Sequence, residues 1–147
     1  MADQLSIVNS YSDQWIKVLE KDPVRPHITF WERIASNREV FIINDGIFVK
    51  AVLCAAYLSD VPKDEVELLT VPTYYNVVCF YSIWSNERGY GKKILDHTLN
   101  HLRCVRPYIT RVVTLSPKTD MAARFHIGNG AKLYRDNENS VNYEYPY

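Results

Sequence analysis

Residues able to do chemistry cluster in the second half of the chain. The stretch Trp84-Ser85-Asn86-Glu87-Arg88-Gly89-Tyr90-Gly91-Lys92-Lys93-Ile94-Leu95 holds a Gly-x-Gly step, two aromatic residues and three cations. An apolar run, Tyr75 to Trp84, precedes it and a helical pattern, about Gly91 to Cys104, follows. A strand, a tight glycine turn and a helix start present unpaired backbone N–H groups to an anion. The helix dipole favours negative charge there, and glycine allows a ligand close to the backbone. Arg88, Lys92 and Lys93 add positive charge, so the expected ligand carries a pyrophosphate. The same spacing also serves as a plain strand-to-helix turn. It lacks the Lys-Ser or Lys-Thr of a nucleotide P-loop and the third glycine of a dinucleotide fingerprint. Two further residues can move protons: Ser116 in Leu115-Ser116-Pro117, and His126 in Phe125-His126-Ile127-Gly128-Asn129-Gly130. Histidine titrates near neutrality. Each has a plainer reading, Ser116 as a helix N-cap and His126 as a core histidine.

The elements that must position these residues can be read in order. Leu5, Val8, Tyr11, Trp15, Val18 and Leu19 recur at helical spacing, which predicts a helix ending near Lys21. Pro26 is expected to start a second helix through Ile28, Trp31 and Ile34 to about Ser36. Glu39 to Ile43 and Ile47 to Leu58 read as strands joined by the turn Asn44-Asp45-Gly46. Asp64 to Leu69 reads as a helical turn. Tyr75 to Trp84 is a strand apolar enough to be buried on both faces, and Ile94, Leu95, Thr98, Leu99 and Leu102 form the inner face of the helix after the loop. Tyr108 to Leu115 is a strand rich in β-branched residues. Ser116-Pro117 is expected to open a helix reaching Ile127, stopped by Gly128-Asn129-Gly130. Ala131 to Tyr134 and Ser140 to Tyr145 close the chain as an antiparallel pair. This order predicts an α/β (α+β) mixed sheet with helices on both faces.

Lys plus Arg and Asp plus Glu number 17 each in 147 residues, so no general basic field is available for nucleic acid. Residues 1–147 fit one domain. Cys54, Cys79 and Cys104 are unclustered, which predicts reduced, buried thiols in a cytoplasmic protein. No run suggests a signal peptide or a membrane span. His97 and His101, four apart on one helix, suggest either a solvated face or two metal ligands lacking a third; a solvated face, and no metal, is the expectation.

The order of elements, with Asn86-Glu87-Arg88-Gly89-Tyr90-Gly91 between strand and helix, resembles the GNAT superfamily of acyl-CoA N-acyltransferases over about residues 39 to 145. That family carries Gln or Arg, two residues, Gly, one residue, then Gly or Ala. Gly89 and Gly91 match, and Asn86 stands where Gln or Arg is usual. The resemblance implies a mostly antiparallel twisted sheet with splayed central strands. It implies coenzyme A pyrophosphate on the backbone of Arg88 to Lys92, and a cofactor site of Tyr81, Ile83, Trp84, Arg88, Gly89, Tyr90, Gly91, Lys92 and Lys93. In many members a tyrosine stands where His126 follows Ala122-Ala123-Arg124-Phe125 and protonates the departing thiolate.

A second, narrower resemblance is to the catalytic region of malonyl-CoA decarboxylase. It rests on Thr114-Leu115-Ser116-Pro117, Phe125-His126-Ile127-Gly128-Asn129-Gly130-Ala131 and Val141-Asn142-Tyr143-Glu144-Tyr145. It implies Ser116 and His126 as a catalytic pair; Tyr143 reads either as a strand residue with one side on the core or as a further catalytic residue facing the thioester. The expected activity is transfer from acetyl-CoA or a related acyl-CoA to a small-molecule or protein amine. The alternatives are a decarboxylase-like lyase on the same site and a non-catalytic coenzyme A-binding or interaction protein. The resemblance also implies a homodimer. Two features stand against these readings. No acidic residue lies in Tyr75 to Trp84 to deprotonate an amine. If a helix began at Ser116, its serine and His126 would lie about 15 Å apart along the axis; contact then requires Ser116 to reach from the strand end, or a helix that starts later, at Thr119.

Overall fold

The computed structural model describes residues 2–10 and 12–147. Seven strands form one sheet in the order β1-β2-β3-β4-β5-β7-β6: β1 Gln4–Val8, β2 Arg38–Asn44, β3 Val49–Leu58, β4 Val77–Ser85, β5 Arg111–Thr114, β6 Lys132–Asp136 and β7 Val141–Tyr145. Every neighbouring pair is antiparallel except β4 and β5, which are parallel. The helices are α1 Phe30–Ile34, α2 Glu65–Leu68, α3 Tyr90–Val105 and α4 Asp120–Gly128, and a 3-10 segment spans Ile16–Lys21.

Apolar residues divide between the two faces of this sheet. Val40, Ile42, Val52, Cys54, Tyr81 and Val113 meet Leu19 of the 3-10 segment and Ile28, with Phe30 and Ile34 of α1 packed alongside. On the other face Phe41, Ile43, Leu53, Val78 and Phe80 meet Ile94, Leu95 and Leu102 of α3, with Phe125 of α4 packed alongside. Helices therefore cover both faces, and β4 is buried on each side as its sequence predicts.

Three expectations about secondary structure are corrected, and a fourth, that all three cysteines are buried, fails at Cys104. The first concerns the predicted N-terminal helix, of which Tyr11 lies outside the described residues. Gln4–Val8 is an edge strand on β2, and Val8 packs on one face of the sheet while Leu5 and Ile7 pack on the other. Short polar side chains then hold turns that delay helical structure to the 3-10 segment at Ile16–Lys21: Ser10 Oγ accepts from Ser12 N–H at 3.3 Å, and Asp13 accepts from Trp15 N–H at 2.8 Å. The second helix starts later than Pro26. Thr29 caps α1 in a capping box with Glu32, each side chain accepting from the other's backbone N–H. The third correction is Ser116, which is no N-cap. It forms a bridge to Val141, donating from N–H at 2.8 Å and accepting at 2.9 Å, and Thr119 caps α4 by accepting from Ala122 N–H. Of the three cysteines, Cys54 and Cys79 are buried, and Cys104 is exposed.

Candidate functional site

β4 and β5 run together only from Val77 opposite Arg111 to Phe80 opposite Thr114. Leu115 N–H still donates to the Phe80 carbonyl at 3.1 Å, and the chains then part. β4 continues to Ser85 along β3, while Ser116 turns to Val141. The split coincides with a β-bulge. Ala55 faces Phe80 and Cys54 faces Ser82, leaving Tyr81 as the extra residue. A bulge re-aims the strand and ends its pairing. Beyond it lies a cleft of about 650 Å³. Its walls are β4 from Phe80 to Ser85, the turn from Leu115 to Pro117, α4 at Ala122, Phe125 and His126, and Pro23 with Val24. Among the described residues, no Asp, Glu, Lys or Arg lines it.

Ser116 and His126 both line this cleft. Ser116 lies at the strand end and α4 starts only at Asp120, so the two residues do not share one helix axis. His126 is 7% exposed, and burial lowers its pKa to about 4. Its Nδ1 lies 2.6 Å from the Tyr145 hydroxyl, whose own pKa burial pushes up. The imidazole is therefore neutral near pH 7 and held by a neutral phenol. When that phenol donates, Nε2 carries the imidazole proton. Ser116 Oγ and Thr114 Oγ1 lie 2.8 Å apart, and Thr114 Oγ1 also accepts from Tyr143 N–H at 3.1 Å. Asn142 fixes this corner from below, donating to the carbonyls of Thr114 and Pro62.

The other residues singled out from the sequence divide. Tyr81, Ile83 and Trp84 line the cleft. Tyr143 does not. Its ring stacks on His126 with centroids 5.3 Å apart, behind the imidazole. Arg88, Gly89, Tyr90, Gly91, Lys92 and Lys93 lie past the cleft lining, at the start of α3. Gly89 has φ 86°, in the left-handed region, and no side chain caps the helix. Gly91 is required for packing, because a Cβ there would lie 2.9 Å from Phe125 Cε1. Two of the three cations are engaged: Lys92 pairs with Asp96 at 2.8 Å and Lys93 with Asp3 at 2.8 Å. Tyr90 also donates to Asp3, at 2.5 Å. Lys93 and Tyr90 together hold the Asp3 carboxyl below its usual range. Arg88 has no side-chain partner among the described residues. His101 packs edge-on against Phe41.

Two contributors gave no sequence signal, and a third was quoted only within a motif. Arg25, in the Pro23-to-Pro26 loop, donates from Nε to the Tyr81 carbonyl at 3.0 Å and from Nη2 to the Leu115 carbonyl at 2.7 Å. Ser82 is 2% exposed, lines the cleft, and its hydroxyl has no protein partner among the described residues. Tyr145, quoted in the Val141-to-Tyr145 motif, is placed against His126 only once β7 is known to lie beside β5.

No family model and no curated protein matches the sequence. Solved structures do match. A malonyl-CoA decarboxylase from Agrobacterium vitis superposes with a TM-score of 0.83 at 17% identity, over 99% of this chain and 60% of that one. This chain thus spans about three-fifths of that decarboxylase. A Bacillus subtilis acetyltransferase in complex with CoA matches with a TM-score of 0.69 at 9% identity, over 99% of both chains. A GNAT family acetyltransferase from Elizabethkingia anophelis with acetyl-CoA bound matches at 0.67 and 6% identity, over 99% of this chain and 98% of that one. The chain has the fold of the GNAT acetyltransferases, shared with the malonyl-CoA decarboxylase it matches.

Proposed function

We propose that the protein binds an acyl-CoA thioester in the β4–β5 cleft and decarboxylates a malonyl-type acyl group there. One observation carries this reading: Ser116 and His126 line one apolar cleft that holds no carboxylate among the described residues. Amine acylation needs a base for the ammonium proton, and the cleft offers none beyond a weakly basic imidazole. Decarboxylation needs no such base.

The pyrophosphate would sit at the uncapped start of α3, on the N–H groups after Gly89 and beside Arg88. Lys93 and Tyr90 would join it by exchanging their contact with Asp3. The pantetheine arm would run along β4, with backbone N–H groups past the bulge aimed at the thioester oxygen. In the reaction the bond between the carboxylate carbon and the methylene breaks. Its electron pair enters the thioester enolate, and carbon dioxide leaves. Apolar walls favour this step because the carboxylate loses solvation while charge spreads onto a hydrogen-bonded oxygen. His126 is neutral in the free protein. A substrate carboxylate beside it favours the imidazolium. The proton taken up on binding is the one returned to carbon, which restores neutral His126 and gives the acetyl thioester.

Malonyl-CoA incubated with the protein and followed by mass spectrometry tests this. Acetyl-CoA is expected with the unaltered protein, and at least ~100-fold less with His126→Ala or Ser116→Ala. Acyl transfer to an amine is the second reading, favoured by acetyltransferases that match over nearly their whole length. Intact malonyl-CoA, with amine-dependent thiol release from acetyl-CoA, would select it. Calorimetry showing no coenzyme A binding at millimolar ligand would sink both, leaving an interaction protein.

A further inference from the structure

We propose that Arg25 is a specificity-determining residue that closes the β4–β5 gap to a second substrate, so that a thioester in the cleft meets no amine. This rests on the thioester lying in that cleft. Where β4 and β5 part, two strand carbonyls lose their inter-strand partners, those of Tyr81 and Leu115. The Arg25 guanidinium takes both, at 3.0 and 2.7 Å. Its remaining nitrogen, Nη1, faces Glu65 at 3.5 Å. The side chain is only 11% exposed.

A second cavity of about 450 Å³ lies on the far side of this arginine. It is lined by Arg25, Lys63, Glu65 and Ser140, and it shares Leu115 with the cleft. Pro23 and Val24 line the cleft itself. Residues 23–25 therefore run between the two spaces, Pro23 and Val24 lining the cleft and Arg25 lining the second cavity, where its guanidinium ties the Tyr81 and Leu115 carbonyls together.

This segment is fixed from beneath. Asp22 Oδ1 accepts from the N–H groups of Val24 and Arg25 at 2.7 and 3.0 Å. Arg33 donates to Asp22 Oδ2 at 2.8 Å, to the Arg25 carbonyl at 2.6 Å and to the Ile28 carbonyl at 3.1 Å. The Asp22 and Arg33 side chains are both fully buried. Displacing the backbone at Arg25 would strand a buried ion pair, which the interior strongly resists. A nucleophile from the second cavity must therefore pass the guanidinium itself.

The test uses a nucleophile small enough to pass the hole left by one side chain. Hydroxylamine attacks the acetyl-CoA carbonyl through nitrogen. The carbon–sulfur bond breaks, the thiolate leaves, and the nitrogen gives up a proton that the thiolate takes. Thiol release is followed for the wild-type protein, Arg25→Ala and Arg25→Lys, with protein-free rates subtracted, and the folding of each variant is checked by circular dichroism. Wild-type release is expected at the protein-free rate and Arg25→Ala at least ~10-fold above it. Arg25→Lys, which keeps the charge but lacks the planar fork that spans both carbonyls, is expected between them and decides the matter if Arg25→Ala does not fold. Amine-dependent release by the wild-type protein would overturn the proposal, as would variants that release no faster than wild type. Malonyl-CoA, run without amine, separates the two ideas. Loss of acetyl-CoA formation there removes the decarboxylase reading, while only the hydroxylamine arm bears on Arg25. Absence of acetyl-CoA binding overturns both.

Discussion

The His126 imidazole and the Tyr145 hydroxyl meet at 2.6 Å, joining α4 to β7 behind the cleft. That contact is made by a ring whose pKa burial has lowered to about 4, against an ordinary value of 6.5. The unfolded chain therefore takes up a proton between pH 6.5 and 4 that the folded protein refuses. Stability is full above pH 6.5 and falls as pH drops toward 4. By pH 5 this one residue removes about 2 kcal/mol. Urea unfolding at pH 7 and pH 5 measures it. His126→Asn is expected to be less stable at pH 7 but to lose less between the two pH values than wild type. Equal losses would mean the imidazole is not buried neutral.

Gly91 and Phe125 form a second exact fit, at the start of α3. Alanine is ordinarily the better helix residue by about 1 kcal/mol. Here its Cβ would sit 2.9 Å from Phe125 Cε1. Gly91→Ala is therefore expected to destabilise by about 1–3 kcal/mol through overpacking. Phe125→Leu should restore most of that loss in the double variant, and a double-mutant cycle by chemical denaturation reads the coupling. Additive losses would show that the helix start does not rest on this ring.

How much of this was legible in the sequence follows from the range of the interactions. The turn at Asn44-Asp45-Gly46, the buried run of β4 and the Gly89-Tyr90-Gly91 step are local signals, and each appears where its pattern places it. Gln4–Val8 was misread because an edge strand of this length shares its apolar spacing with a helix, and only pairing with β2 decides between them. Thr29 and Glu32 carry a capping-box pattern that a helix start assigned to Pro26 concealed. Ser116 and His126 were named from motif resemblance, and their lining of one cleft depends on a helix start that a serine-proline pair obscures. Arg25 and Ser82 had no pattern at all. Arg25 finds Leu115 across 90 positions, and Ser82 is set apart by a bulge that the sequence of β4 does not mark.

Thr114 orients Ser116 while accepting from Tyr143 N–H. Thr114→Val keeps the shape and removes the oxygen, leaving two buried groups without that partner. The expected cost is about 2 kcal/mol in unfolding free energy, together with slower malonyl-CoA turnover. Thr114→Ser should keep both properties near wild type. A valine variant with unchanged stability would mean the pair does not bear load in the folded state.

Asp22 and Arg33 form an ion pair with both side chains fully buried. Asp22→Ala leaves the guanidinium charged and unpaired and frees the N–H groups of Val24 and Arg25. Breaking such a pair typically costs about 3–5 kcal/mol. Thermal unfolding of Asp22→Ala should show a loss of that size, where an exposed pair such as Lys92 with Asp96 should show almost none on Asp96→Ala. A small loss for Asp22→Ala would mean the strap of residues 23–25 is held by packing alone.

Ser82 distinguishes a residue kept for a ligand from one kept for the fold. Its hydroxyl is buried in a cleft wall with no protein partner among the described residues. An unpaired buried hydroxyl destabilises a protein by about 1–3 kcal/mol. Ser82→Ala removes that hydroxyl and little volume. The free variant is therefore expected to melt higher than wild type, by about 3 °C for a gain of 1 kcal/mol in a chain this size. If the hydroxyl serves an acyl group in the cleft, saturating acetyl-CoA should raise the melting point of the variant less than that of wild type, because only bound protein gains from the ligand. A purely structural serine would move the first value down and leave the second alone. Scanning calorimetry of both proteins, with and without acetyl-CoA, gives the two numbers together, and a lower melting point for the free variant would refute the ligand role of Ser82.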